Sequence, residues 1–112
     1  MTNVIHIADL ERRPGATVKF EGALHGSGAS FFLVRDEPGH GPPLHVHPYP
    51  ETWIVGGGRV RFTMGGEPLE AAAGDIIVAP ADVPHKFVSL GPDRLEMVCI
   101  HPSPRIIQQD LE

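Results

Sequence analysis

The stretch from residue 39 to residue 58, GHGPPLHVHPYPETWIVGGG, guides the interpretation of the whole chain. It contains His45, His47 and Glu51, whose imidazole and carboxylate side chains are common metal ligands. Side chains alternate between the two faces of a strand, so His45 and His47 should point the same way and reach one ion together. The two prolines between His47 and Glu51 lack the N–H group of a strand ladder. The stretch therefore predicts a His pair at one strand end, a tight turn, and a Glu that begins the next strand and points back.

A further ligand has to come from elsewhere, and His85 is the candidate. The other four histidines are expected at the surface or in loops: His6, His25, His40 and His101. His40 and Tyr49 flank the motif closely enough to reach a pocket mouth. Cys99 is expected to be a small buried apolar residue, since no basic neighbour in sequence would lower its pKa.

Length and composition restrict the class of protein. A chain of 112 residues predicts one domain over residues 1–112. The net charge of -5 and the absence of a basic cluster make nucleic acid and anionic membranes unexpected partners. A single cysteine excludes an internal disulfide framework, and neither a secretory signal nor a membrane-spanning apolar run is present in the given sequence. A cytoplasmic location is the expectation.

Short apolar runs separated by glycine and proline predict strands rather than helices. Residues 59–64 alternate cleanly, with Val60, Phe62 and Met64 as the buried set, and Gly65-Gly66 predicts a tight hairpin turn. Residues 3–7 are a strand candidate. Residues 68–73 contain three alanines that hint at a single helical turn. On the last strand candidate the alternation does not show whether Met97 and Cys99 or Val98 and Ile100 face inward. The pattern favours an antiparallel barrel or sandwich.

Two motifs resemble those of the cupin superfamily, and in particular its small single-domain bacterial members. Residues 39–58 match the first cupin motif at every fixed position: Gly39, His45, His47, Glu51 and Gly58. Residues 74–89 are similar to the second motif, where Gly74, Pro80 and His85 match. Asp82 stands where the family has glycine and Ser89 where it has asparagine. Asp tolerates a left-handed backbone better than most residues, so the turn at Asp82 can survive.

The resemblance implies an all-β, double-stranded β-helix (jelly-roll) barrel. It also implies a divalent transition metal (Fe, Mn, Ni, Zn, Cu or Co) bound by His45, His47, Glu51 and His85. Three imidazoles and a carboxylate suit such ions and leave coordination positions open for water, dioxygen or substrate, without selecting the metal.

Strand alternation predicts the pocket around this site. Trp53 shares a face with Glu51, and Phe87 shares one with His85, while Phe62 belongs to the alternating buried set. Together with Tyr49 at the mouth, these residues predict an apolar, aromatic pocket whose main polar feature is the metal. Such a pocket suits a small, largely apolar or aromatic molecule with one or two oxygen donors.

Three functions are consistent with these residues, and the sequence does not establish that the protein is an enzyme. The favoured one is a dioxygenase-like enzyme in which Glu51 is both ligand and base. An oxygen-independent isomerase or lyase ranks lower, since no acid–base group beyond the ligands is clearly placed inside. The third is a binding or sensor module without catalysis. A homodimer is expected because the chain is small and apolar residues lie near both ends: Val4, Ile5, Ile7, Ile106 and Ile107.

Overall fold

Strands make up nearly all of the regular structure in the computed structural model, which describes residues 4–13 and 15–112. Two short 3-10 helices span Ile7–Asp9 and Gly22–Leu24. In chain order the strands are β1 (Glu11–Arg12), β2 (Val18–Phe20), β3 (Ser30–Asp36), β4 (His45–Val46), β5 (Glu51–Gly57), β6 (Arg59–Met64), β7 (Glu67–Ala72), β8 (Ile76–Ala79), β9 (His85–Ser89), β10 (Leu95–His101) and β11 (Gln109–Asp110).

The strands form two antiparallel sheets that enclose one core. The six-stranded sheet has the order β1-β2-β3-β10-β5-β8, and the five-stranded sheet has the order β11-β4-β9-β6-β7. Many neighbouring strands are distant in sequence, as in the pairing of β10 with both β3 and β5. This winding is the jelly-roll, double-stranded β-helix architecture expected from the sequence.

The core follows the alternation of the strands. On β5, Trp53 and Val55 are buried while Ile54 is 41% exposed, and Glu51 is buried on the same face as Trp53. On β6, Val60 and Phe62 are completely buried. The face of β10 that the sequence left open is now defined: its inward residues are Leu95, Met97, Cys99 and His101.

The tight turns confirm two expectations about the backbone. Gly65 and Gly66 both have positive φ, 56° and 85°, as a two-residue hairpin turn between β6 and β7 requires. Asp82 has a φ of 64°, so it adopts the left-handed conformation of the glycine that it replaces in the family motif.

Two local expectations were wrong. Residues 68–73 lie largely in strand β7 rather than in a helical turn, and Pro68 is tolerated because β7 is an edge strand of its sheet. The predicted strand at residues 3–7 is not formed by its described part: Val4 is 84% exposed and Ile7 begins a 3-10 helix. Asn3 lies outside the described residues.

We expect Phe62→Ala to lower the free energy of unfolding by about 3–5 kcal/mol. Phe62 is 0% exposed, and its ring packs 4.9 Å from the Trp53 ring and 5.7 Å from the Phe87 ring, centroid to centroid. Chemical denaturation measures the change. The control Leu24→Ala, at a side chain 75% exposed, should stay within about 0.5 kcal/mol. Equal losses in the two variants would contradict this account of the core.

Candidate metal centre

The candidate site is assembled from strand ends of both sheets. His45 begins β4 and His85 begins β9, and the two residues are directly opposed in the five-stranded sheet. His47 follows β4 immediately, and Glu51 begins β5 in the other sheet. A bend at residues 48 and 49 separates His47 from Glu51, and the Glu51 carboxylate lies back toward the imidazoles.

The four predicted ligands lie close together and are shielded from water. Each offers a ligand atom, and these atoms all lie within 4.8 Å of one another. The exposed fractions are 5% for His45, 2% for His47, 3% for Glu51 and 2% for His85. Burying so many polar groups together is costly unless they are paired or bind an ion. The residues that the sequence analysis selected are therefore brought together as one constellation.

Backbone carbonyls orient the three imidazoles. The Nδ1–H of His45 donates to the carbonyl of Pro43 over 2.7 Å, and that of His85 donates to Val83 over 2.9 Å. The Nδ1–H of His47 donates to Ile107 over 2.8 Å. A proton on Nδ1 leaves the Nε2 lone pair of a neutral ring free, which is the arrangement that metal-bound histidines use.

The Glu51 carboxylate lies among these rings. Its Oε1 is 3.0 Å from Nε2 of His47 and 3.1 Å from Nε2 of His85. Burial raises the pKa of Glu51, but the neighbouring His101, His47 and His85 lower it by more, so the pKa lies below the ordinary carboxylate range. Glu51 is therefore an anion at neutral pH and provides the negative charge of the site.

The imidazoles respond differently to their surroundings. Burial lowers the pKa of His45, which favours the neutral ring that a metal needs. For His47 burial also acts to lower the pKa, but Glu51 and the Ile107 carbonyl more than offset it and the net pKa is raised. Nε2 of His47 nevertheless has no aligned hydrogen-bond partner among the described residues, despite its approach to Glu51. Nε2 of His47 is therefore a buried nitrogen that a metal ion could bind.

One residue of the site was missed by the sequence analysis. His101, expected at the surface or in a loop, is 1% exposed, and its Nε2 lies 3.3 Å from Oε2 of Glu51. The available signal was strand alternation, because His101 shares a face with Cys99. Alternation could not identify the inward face of β10, because both faces of this strand carry apolar residues.

A cavity of about 550 Å³ reaches the site. His45, His47, Glu51 and His101 lie at its inner end. Its apolar wall contains Phe32, Val34, Phe87 and Cys99. Arginine and acidic side chains line the outer part, including Arg13, Asp36 and Asp110. The expected apolar character thus holds for the inner wall alone, since charged residues of both signs also line the cavity.

Of the four predicted pocket residues, Phe87 alone lines this cavity among the described residues. Trp53 and Phe62 were assigned to the pocket, but they lie deeper in the core at 0% exposure, because alternation gives a face and not a depth. The Trp53 ring packs edge-on against His85, with centroids 5.0 Å apart. Tyr49 stacks on His47 at 5.2 Å and supports the site rather than forming the cavity wall. His40 lies among the lining residues.

The C-terminal segment completes the site. β11 pairs with β4, placing Asp110 opposite His45, and Leu111 donates its N–H to the Leu44 carbonyl over 2.8 Å. Ile107 supplies the carbonyl that orients His47. The tail therefore lies on its own barrel and holds the strand that carries His45 and leads directly into His47.

The fold and the donor set together define a metal-binding jelly-roll barrel. Imidazoles whose Nδ1–H groups are held by backbone carbonyls, a buried anionic carboxylate and an unpartnered Nε2 fit a divalent transition metal, without selecting which one. The sequence model described as the cupin domain matches residues 32–101, and the chain belongs to that family. No curated protein matches the chain.

Similar solved structures are cupin barrels of greater length. An oxalate decarboxylase from Lactobacillus farciminis, in a formate complex, superimposes with a TM-score of 0.84 at 21% identity over 95% of this chain and 35% of that one. A structure of the Bacillus subtilis oxalate decarboxylase, studied for its Mn(II) centres, gives 0.78 at 23% identity over 90% and 29% of the two chains. This chain thus spans about a third of their length, and the likeness concerns the fold. Among the described residues no helix is long and apolar enough to cross a membrane.

We expect the variant combining His45→Ala and His85→Ala to lose its bound metal. Wild type should retain about one divalent transition metal ion per chain, because the four ligands form a single site, and removal of two leaves too few donors. Elemental analysis of protein purified without added metal measures the stoichiometry. A control variant with His6→Ala and His25→Ala, both at exposed side chains, should retain the metal. Equal metal content in all three proteins would contradict the assignment.

Proposed function

We propose that this cupin is a metal-dependent enzyme acting on a small, largely apolar or aromatic molecule that carries oxygen donors. Dioxygenase-like chemistry is the favoured reaction. The observation that carries the proposal is that three of the four clustered ligands, all buried, line a cavity of about 550 Å³. A volume of that size matches the pockets that proteins use for small molecules.

The cavity wall supports this substrate class. Phe32, Val34, Phe87 and Cys99 provide an apolar surface beside the ligands, against which an aromatic or alkyl group would pack. The oxygen donors of the substrate would face the ligand cluster. A polar substituent on the far side would meet the charged lining, where Arg13 and Asp36 contribute opposite charges.

In this proposal each side chain of the site has a separate role. When bound, the metal would supply Lewis-acid activation and a position for oxygen donors. His45, His47 and His85 would hold it together with Glu51, which is also the proposed catalytic carboxylate. Because Oε1 approaches the ligand imidazoles while Oε2 lies near His101, the two oxygens are available for different tasks.

One observation favours a second candidate, an oxygen-independent isomerase or lyase. Such chemistry needs an acid–base group in addition to the metal ligands. His101 is a buried imidazole at the inner end of the cavity that is not among the four clustered ligands, and it supports this alternative. A binding or sensor module without turnover is the remaining outcome of the test below.

We expect protein loaded with Fe(II), Mn(II) or Cu(II) to consume dioxygen when small phenols, enols or diketones are supplied. For a substrate that is turned over, Phe87→Ala should raise KM about tenfold, because it removes part of the apolar wall. An oxygen electrode and product analysis, run aerobically and anaerobically, measure both effects. The variant combining His45→Ala and His85→Ala is the inactive control. Turnover with Zn(II) under anaerobic conditions would favour the isomerase or lyase, and ligand binding without turnover would favour the binding module.

We also propose a homodimer. Apolar side chains near the N-terminus and in the tail stay exposed, with Val4 at 84% and Ile107 at 52%. The edge strand β8 adds Ile76 at 67% and Val78 at 58%. Exposed apolar edge strands pair readily with a second copy of the same chain.

Sedimentation equilibrium at micromolar concentration is expected to give a dimer. A variant with Ile76→Lys and Val78→Lys should be monomeric, because lysines on an edge strand prevent pairing. Leu24→Lys, which places a lysine at another exposed apolar residue outside the edge strand, should remain dimeric. A monomeric wild type would contradict the dimer.

A further inference from the structure

His101 occupies a position that the four-ligand site does not explain. It is the last residue of β10, its side chain is 1% exposed, and it lies at the inner end of the cavity. Its ring packs edge-on against His47 at 4.7 Å and against Phe32 at 5.6 Å, so the surrounding rings restrict its movement. A fixed, buried imidazole beside a metal ligand calls for a hydrogen-bonding role.

The hydrogen bonds assign a tautomer to His101 that differs from those of the ligand histidines. In the three ligands Nδ1 donates to a backbone carbonyl. In His101 Nδ1 instead lies 2.7 Å from the hydroxyl of Tyr49. That hydroxyl oxygen already accepts the Ile107 N–H over 3.2 Å, so its own proton is free to be donated to Nδ1. On the other side of the ring, Nε2 approaches Oε2 of Glu51, a carboxylate oxygen that can only accept, so neutral His101 carries its proton on Nε2 and Nδ1 accepts the Tyr49 proton.

The Nε2–H of His101 faces the second oxygen of Glu51. Nε2 lies 3.3 Å from Oε2, whereas Oε1 lies beside the Nε2 atoms of His47 and His85. Like Nε2 of His47, Nε2 of His101 has no aligned hydrogen-bond partner among the described residues, and Oε2 of Glu51 is the oxygen it approaches. The two oxygens of Glu51 therefore have different neighbours. Oε1 lies beside the ligand imidazoles, and Oε2 lies beside Nε2 of His101.

We propose that His101, held by Tyr49, is a positioning residue that donates its Nε2–H to Oε2 of Glu51 and so makes Glu51 bind the metal through Oε1 alone. With a metal bound, a Glu51 restricted to one oxygen would leave more of the metal's coordination positions available to substrate oxygens. The inference rests on the proposed metal-dependent function and names the residue that sets the number of open positions.

The test compares Mn(II) binding in wild type, His101→Leu, His101→Gln and Tyr49→Phe. His101→Leu removes the donor, and we expect Mn(II) to bind about 10- to 100-fold more weakly, with a changed fine structure in its electron paramagnetic resonance spectrum. His101→Gln retains an N–H donor and should restore most of the affinity and the wild-type spectrum. Tyr49→Phe removes the hydroxyl that fixes the tautomer, so it should change the spectrum while leaving the imidazole in place.

The controls separate this inference from the proposed function. His6→Leu, at an exposed histidine, should match wild type in both measurements. Wild-type affinity and an unchanged spectrum in His101→Leu would overturn the inference, and so would a His101→Gln protein as weak as His101→Leu. If His101→Leu does not fold, an unchanged spectrum in Tyr49→Phe overturns it. A wild type that binds no Mn(II) and no other divalent metal overturns the metal-dependent function itself.

Discussion

The three hydrogen bonds from imidazole Nδ1–H groups to backbone carbonyls are the constraint on which the site depends. Pro43 and Val83 each lie two residues before the histidine whose ring they hold, whereas Ile107 reaches His47 from the distant C-terminal segment. With Nδ1 protonated, the Nε2 atoms of the neutral rings are ligands that do not need to be reoriented. The barrel therefore holds three carbonyl groups and one carboxylate at fixed positions around the site.

Burial gives this arrangement its chemical character. The Trp53 ring packs against His85 from the core side, and Phe87 forms part of the apolar cavity wall. In such surroundings an unpaired carboxylate would be neutralised by a proton, yet the imidazoles around Glu51 hold its pKa below the ordinary range. The same apolar surroundings raise the pKa of Cys99 well above its usual value, which makes its thiol inert although it borders the cavity.

Much of the site was predictable because it depends on local spacing. His45 and His47 share a face by alternation, and Glu51 returns to them through a turn that two prolines enforce. Prediction failed where a residue's role depends on a partner distant in sequence. His101 was missed because both faces of β10 are apolar, and the edge position of β7, which permits Pro68, is a property of sheet order. Trp53 and Phe62 were given the correct face but the wrong depth.

By itself the sequence determined the strand-rich fold, the two motifs and the four residues that cluster at the candidate metal centre, because these depend on residue type and on periods of a few residues. The tertiary structure alone decided which oxygen of Glu51 faces which imidazole, which face of β10 is buried and which side chains border the cavity. It also decided that the tail orients His47 through Ile107. The physical reason is that hydrogen bonds and burial join segments many residues apart, as in the Ile107–His47 contact, and no local pattern records those pairings.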